Sequence, residues 1–336
     1  MKNGMRMSRR GVLTGLAAAP AAFAATATPS AAQGGGIDAR IASAHAALRG
    51  AKGTKLVLLG TGAGPVPDGA RHMTSHVMLA NGAAYVLDCG LGVTRQFVRT
   101  GIPRHALRAI FITHHHPDHN IEYGPFLVMG WLGGMAQNVR AYGPPPLKQM
   151  TEDYLRSAET TIRFWAEDFH TTPLGMIDVH DLPQAGPVMQ DENVKVTSVL
   201  VQHPPVTPAY GYRFDFNDRS IAFSGDTIGL DAVAAMAKGA DILVHEAIDM
   251  AAIEAFMKQQ IAHGTPGSLD AFMKHMRADH TPTEEVGRVA QAAGVKTLVL
   301  SHLAPGDASV GDDRWRRAAA THFKGRIIVG HDLRVI

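Results

Sequence analysis

Cysteine is nearly absent: Cys89 stands alone among 336 residues. An intrachain disulfide framework is therefore excluded, and a buried single thiol behaves as a small apolar side chain. Charge is sparse too, at 18% of residues with a formal net of +2. Four basic residues, Lys2, Arg6, Arg9 and Arg10, lie in a first segment without acids. Removing them leaves a mildly acidic remainder of about −2. No basic stripe remains to neutralise a row of phosphates, which argues against stable nucleic-acid binding. The apolar Ala-rich run through Ala27 is broken by Gly15 and Pro20. It falls short of the roughly 20 residues that a membrane-spanning helix needs.

What is present begins with an address. Ser8-Arg9-Arg10-Gly11-Val12-Leu13 pairs two arginines with apolar residues, and Ser30-Ala31-Ala32 offers a small-x-small cleavage site before Gln33, with Ala25-Thr26-Ala27 as a second candidate. This resembles a twin-arginine export signal over residues 1–32. It implies transient contact with the twin-arginine export machinery, a periplasmic or secreted product, and no membrane anchor after processing. Residues 33–53 are expected to be a linker, flexible at Gly34-Gly35-Gly36, followed by a short amphipathic helix from Ile37 to Leu48. Residues 54–336 are long enough for one large domain with a substantial core.

Within that domain, Leu56-Val57-Leu58-Leu59 predicts a buried strand, and Asn81-Gly82 predicts a tight hairpin. A helix is expected from Leu147 to Phe164, and the stretch from Met150 to Asp181 as a lid. Strands come first as hairpins and then alternate with helices. This order suits an α+β fold with two sheets packed face to face and helices outside, a four-layer αββα sandwich.

The densest chemistry lies in His114-His115-His116-Pro117-Asp118-His119, directly after the apolar strand Ala109-Ile110-Phe111-Ile112. Imidazole and carboxylate are preferred zinc ligands. His114 and His116 alternate along extended chain and so point the same way. The turn at Pro117 carries Asp118 and His119 to a second position, so one loop serves two metals. Three further ligands are expected at strand ends, where a rigid scaffold fixes them: His203, Asp226 and His302. His114, His116 and His203 are assigned to one metal, and Asp118, His119 and His302 to the other, with Asp226 bridging. Glu246 and His280 are expected to pair, the carboxylate holding the imidazole as a proton donor. Thr281 is expected to cap a helix that starts at Pro282. His115 is expected to face away. His72, His76, His263 and His275 are candidates for a pocket rim, and Arg213 reads as structural.

These residues together resemble the metallo-β-lactamase superfamily, in its branch of ribonuclease Z and arylsulfatase-like hydrolases. The resemblance rests on Leu59-Gly60-Thr61-Gly62-Ala63-Gly64-Pro65, Leu87-Asp88-Cys89-Gly90, the His114–His119 string, Ser224-Gly225-Asp226-Thr227, His245-Glu246-Ala247, His280-Thr281 and Ser301-His302. Long-arm ribonuclease Z inserts a tRNA-gripping arm between its strand-end histidine and its bridging aspartate. Here only about twenty residues separate His203 from Asp226, room for little more than a hairpin.

The expected activity is that of an exported dinuclear zinc hydrolase, with Mn or Fe as geometric alternatives. Attack by a hydroxide shared between the two metals, with Asp118 orienting it and His280 protonating the leaving group, suits phosphodiester or sulfate ester bonds of a small-molecule substrate. The alternative is a lactone, β-lactam or carboxylic ester hydrolase at the same metals. A tRNA 3′-processing endoribonuclease and a non-hydrolytic metal-binding protein rank lower. A homodimer is compatible with the sequence.

Overall fold

A computed structural model describes residues 31–336, apart from 51, 68, 137, 229 and 308. The paired arginines of the export-signal expectation lie outside the described residues. The first described element is α1 (Ala31–Leu48). It runs through Gly34-Gly35-Gly36, so the expected flexible linker is corrected: that triplet is helical. Ile37, Ile41, Ala44, His45 and Leu48 form the less exposed stripe of α1. Once tertiary packing holds that stripe, adding helical residues costs less than starting a new helix, which carries the N-terminal turns along.

Two seven-stranded sheets follow among the described residues. The first contains β1 (Lys55–Gly60), β2 (Ser75–Ala80), β3 (Ala83–Leu87), β4 (Leu107–Phe111), β5 (Arg140–Gly143), β6 (Asp178–Asp181) and β14 (Arg334–Val335), in the order β14-β1-β2-β3-β4-β5-β6. The second contains β7 (Gly186–Gln190), β8 (Val194–His203), β9 (Val206–Phe216), β10 (Ser220–Phe223), β11 (Ile242–Ile248), β12 (Thr297–Ala304) and β13 (Arg326–Val329), in the order β13-β12-β11-β10-β9-β8-β7.

Strand periodicity sorts the apolar side chains between layers. Leu56, Leu58, Tyr85, Phe111, Phe214 and Phe223 point between the sheets. Val57, Leu59, Val86 and Ile110 point outward, under α2 (Val93–Arg99), α4 (Tyr123–Leu132), α5 (Leu147–Ser157) and α6 (Glu159–Asp168). The outer face of the second sheet packs Leu298 and Leu300 against α7 (Leu230–Met236), α10 (Thr283–Ala293) and α11 (Asp312–Ala320). The αββα sandwich is the observed architecture. Asn81 and Gly82 both take positive φ (50° and 80°), as the β2–β3 hairpin requires.

Two further expectations need correction. The helix expected over 147–164 breaks at Ala158 into α5 and α6, because Leu147 and Thr151 bury at one end while Ile162 and Ala166 bury at the other. The Met150–Asp181 stretch is built into the fold rather than forming a separate lid: Ile162 and Ala166 join the outer core and β6 extends the first sheet alongside β5.

Parallel pairing of β3, β4 and β5 in one sheet, and of β10, β11 and β12 in the other, aligns their C-terminal ends. Loops leaving those ends gather on one rim, where open α/β sheets characteristically place ligands. Phe111 ties the layers together beneath that rim, stacking on Tyr142 at 5.3 Å and meeting Phe214 edge-on at 5.0 Å. Replacing Phe111 by alanine is expected to cost about 3–5 kcal/mol in chemical denaturation. The half-exposed Phe164 provides the contrast: its alanine variant is expected to change stability by less than about 0.5 kcal/mol.

Candidate metal centre

The rim places the seven residues together in two sets. The donor atoms of His114, His116 and His203 lie within 4.8 Å of one another, and so do those of Asp118, His119, Asp226 and His302. His114 and His116 leave the end of β4, and α3 (Pro117–Asn120) turns Asp118 and His119 inward. His203 is the last residue of β8. Asp226 follows β10 after Gly225, whose φ of +61° and whose approach to the Tyr210 carbonyl, 2.7 Å from an added Cβ, exclude a side chain.

His302 is placed by a bulge. Glu246 pairs with Ser301 and Ala247 with Leu303, which leaves His302 as the extra residue of β12 at φ +45°. A strand without the bulge would turn position 302 with Leu300, toward the outer helices; the bulge re-aims it at the rim. Such a φ costs on the order of 1–3 kcal/mol for a non-glycine residue.

Hydrogen bonds fix the ring tautomers. The His203 Nδ1–H donates to the Asp279 carbonyl at 2.9 Å, which leaves Nε2 with a lone pair. The Thr113 hydroxyl donates to Asp88 and so accepts from His114 Nδ1 at 3.1 Å, which again frees Nε2. The His119 Nδ1–H is held by Asp88 Oδ2 at 2.9 Å. His114 Nε2 and His203 Nε2 stand 3.1 and 3.0 Å from His116 Nδ1. Neighbouring nitrogens on a tetrahedral zinc are separated by about 3.3 Å, from a Zn–N bond near 2.05 Å. In the second set, buried His119 Nε2 and Asp226 Oδ1 have no hydrogen-bond partner. Asp226 Oδ2 is 3.3 Å from His119 Nε2 and 3.1 Å from His302 Nε2, and 4.0 Å from both His114 Nε2 and His203 Nε2. It therefore lies between the two sets. Buried lone pairs converging on two points fit a pair of divalent cations.

Electrostatics separate the two sets. Burial, with the neighbouring rings, holds His114 well below the ordinary imidazole range, and burial together with His203 lowers His116 to about 4. These rings stay neutral and present lone pairs. At His302 burial acts downward, but Asp226 and Asp118 outweigh it and raise the ring to about 10. His119 is likewise raised, against burial, by Asp226, Asp88 and Asp118. Protons therefore compete with metal for this second set.

Beside the centre, His280 Nδ1 and Glu246 Oε2 are 2.7 Å apart, and Glu246 Oε1 is held by the Thr227 N–H at 2.6 Å. Burial would lower His280, but Glu246 raises it above the ordinary value. Thr281 does not cap a helix: its hydroxyl donates to the Thr227 carbonyl, and α10 starts at Thr283 with Pro282 as N-cap. This correction has a physical cause, since the hydroxyl is used to hold the Thr227 turn beside Asp226. His115 faces away, bonded to the Pro144 carbonyl at 2.8 Å. His76 is buried and bonded to Ser301, His263 is exposed at the end of α8 (Met250–Ala262), and His275 pairs with Asp279 in α9 (Leu269–Asp279). Arg213 is structural, bridging Asp215 and the Met236 and Lys238 carbonyls.

Two positioning residues were missed in the sequence. Asp88 accepts from the Thr113 N–H and holds His119, and Gly64 donates its N–H to Asp118 Oδ2 at 2.7 Å. A Cβ on Gly64 would lie 2.3 Å from Asp118 Cβ. Both lie in motifs already singled out, but nothing local shows what they touch.

A two-sheet sandwich with paired histidine–aspartate donor sets on one rim defines a metallohydrolase-type scaffold. A family model described as the Beta-lactamase superfamily domain matches residues 84–303, and the chain belongs to that superfamily, with the metallo-β-lactamase fold. Ribonuclease Z of Mycobacterium bovis (strain BCG / Pasteur 1173P2) is 32% identical over 285 residues, covering 83% of this chain and 96% of that relative. Among solved structures, the metallo-beta-lactamase fold protein YhfI from Bacillus subtilis superposes with a TM-score of 0.61 at 18% identity, covering 84% of this chain and 99% of that one. Human tRNase Z, short form, gives 0.60 at 22% identity, covering 84% and 98%.

Gly64→Ala is expected to displace Asp118 and lower bound metal sharply, as are His116→Ala and Asp226→Ala. Gly69→Ala, with open space around its Cβ, should leave metal content unchanged. Rebinding metal to chelator-stripped protein near pH 7 should release protons from the second set and tighten as pH rises. Calorimetry in buffers of different ionisation heat reads the release, and elemental analysis reads the content.

Proposed function

We propose that this chain is a metal-dependent hydrolase of phosphodiester bonds in a small substrate, loaded with two zinc ions. The observation that carries the reading is the pair of donor sets sharing Asp226, with the Glu246–His280 pair alongside. When bound, the metals would supply Lewis-acid activation of water and neutralise charge on the phosphoryl oxygens. The residues do the rest. His114, His116 and His203 would hold one ion, Asp118, His119 and His302 the other, and Asp226 would face both. Asp118, fixed by Gly64, orients the attacking water. His280 Nδ1 is tied to Glu246, so Nε2 is the ring nitrogen left to protonate the leaving oxygen. A proton donor serves poor alkoxide leaving groups, which favours phosphodiesters over lactams.

The ribonuclease Z relatives at 32% identity support the phosphodiester bond and favour a second reading, RNA 3′ processing. Against a large RNA stands the interval from His203 to Asp226. It is filled by β9, β10 and two short turns, with no inserted arm. Turnover of a bis-aryl phosphodiester, an aryl sulfate, a lactone, a cephalosporin and a precursor tRNA decides among these. The phosphodiester is expected to lead, and chelation to abolish it. A lactone or cephalosporin leading would overturn the reading, and site-specific tRNA cleavage as the dominant activity would establish the second one.

His280→Ala should retain both metals and lower kcat by about 10²–10⁴. The loss should shrink for a nitrophenolate leaving group. Because the proton-bearing form is the active one, activity should fall as pH rises through the raised His280 pKa, and Glu246→Gln should move that fall to lower pH. Metal loss in His280→Ala would make the residue a ligand or a prop instead.

Export is proposed on the same footing, from Arg9-Arg10. A reporter fused after Gln33 should reach the periplasm, and should stay behind when both arginines become lysine. Continued export of that double variant would remove the twin-arginine reading.

A further inference from the structure

A groove of about 750 Å³ runs along α2 between α1, residues 69–73 and the β13–β14 turn. Its size suits a nucleotide-sized ligand. One end of it reaches the catalytic rim. Leu91 and Arg95 follow the end of β3, whose parallel neighbour β4 delivers His114, and Asp332 follows the end of β13, whose parallel neighbour β12 carries His302. This wall joins the metal loop through the backbone: Leu91, whose carbonyl accepts from the Met73 N–H at 3.2 Å, stands two residues beyond Cys89, whose N–H donates to the His119 carbonyl at 2.6 Å.

The charge in this groove is one-sided. Among the described residues, Arg40, Arg71, Arg95 and Arg99 line it, against the carboxylates Glu122 and Asp332. Both carboxylates are already engaged. Asp332 accepts from the Thr61 N–H and hydroxyl and from the His72 N–H, and contacts His72 Nδ1 at 2.8 Å. Glu122 accepts from the Thr94 N–H at 3.1 Å. Arg71 is anchored by donating to Thr61 Oγ1 at 2.8 Å and to the Gly330 carbonyl at 2.6 Å. Arg40 and Arg95 are exposed, and neither they nor Arg99 forms an ion pair among the described residues. Arg40, Arg71, Arg95 and Arg99 thus concentrate positive charge along one groove. The planar fork of arginine matches phosphate oxygens.

We propose that this groove binds a second phosphate of the substrate, remote from the bond that is cleaved, so that the preferred substrate carries a phosphodiester and a further phosphate group. The proposal rests on the phosphodiester reading above and deepens it.

The test compares two chromogenic substrates on the zinc-loaded protein. One is the p-nitrophenyl ester of thymidine 5′-phosphate, and the other is the same ester carrying a 3′-phosphate. Wild type is expected to show a KM lower by about tenfold or more for the 3′-phosphorylated ester, the order expected of one charge-assisted contact. Arg40→Gln/Arg95→Gln should erase that ratio, and Arg108→Gln, an exposed arginine outside the groove, should keep it. Equal KM values in wild type, or a ratio kept in the double variant, would overturn the proposal. If wild type cleaves neither ester, the phosphodiester reading fails. Binding of inorganic tripolyphosphate, read by calorimetry, then tests the groove separately. Weakening by tenfold or more in the double variant at unchanged zinc content supports the phosphate site, and equal binding removes it.

Discussion

Everything on the catalytic rim depends on one constraint: buried donor atoms face one another, and a cation or a proton must satisfy them. His114, His116 and His203 turn nitrogens toward a common point; burial keeps His114 and His116 neutral, and the Asp279 carbonyl accepts from His203 Nδ1. Such a cluster is costly in low dielectric unless a cation joins it. The second set solves the same problem differently. Asp88, Asp118 and Asp226 raise the pKa values of His119 and His302, so protons fill the role that a metal takes when present. Folding and metal affinity are thereby linked through these rings.

Holding that arrangement requires features that weaken the scaffold locally. His302 sits in a strained bulge, Gly225 in the left-handed region, and Gly64 against Asp118 with no room for a methyl group. His302 departs from regular strand geometry, and the two glycines leave no room for a side chain at the rim. The stable part lies below, where Phe111, Tyr142, Tyr212 and Phe214 interlock between the sheets. A rigid aromatic layer and a strained, polar rim are the division expected when ligand geometry outranks local stability.

The arginine-lined groove extends this logic to substrate choice. Asp332 serves both as the hub that binds Thr61 and His72 and as a wall of the groove, so the opening loop that fixes Asp118 through Gly64 is also the loop that shapes the groove. Bond cleavage and recognition of a distant charge would share one short stretch of backbone.

Legible in the residues alone were the metal loop, the placing of His203 and Asp226 at or just after strand ends, the Glu246–His280 pair and the layered α/β plan. All of these are written in residue type and in two-residue periodicity. The strand-end expectation for His302 is corrected, because the bulge holds it inside β12. The sequence did not show that Gly34-Gly35-Gly36 joins a helix, that 147–164 breaks at Ala158, or that Thr281 turns away from a cap. Those outcomes follow from packing against distant residues. Tertiary structure alone decided that Asp88 holds His119, that Gly64 clamps Asp118, and that four arginines from α1, α2 and residues 69–73 line one groove. The reason is physical: a ligand's type is a local property, whereas its aim, its tautomer and the charge beside it are set by atoms far away in the chain.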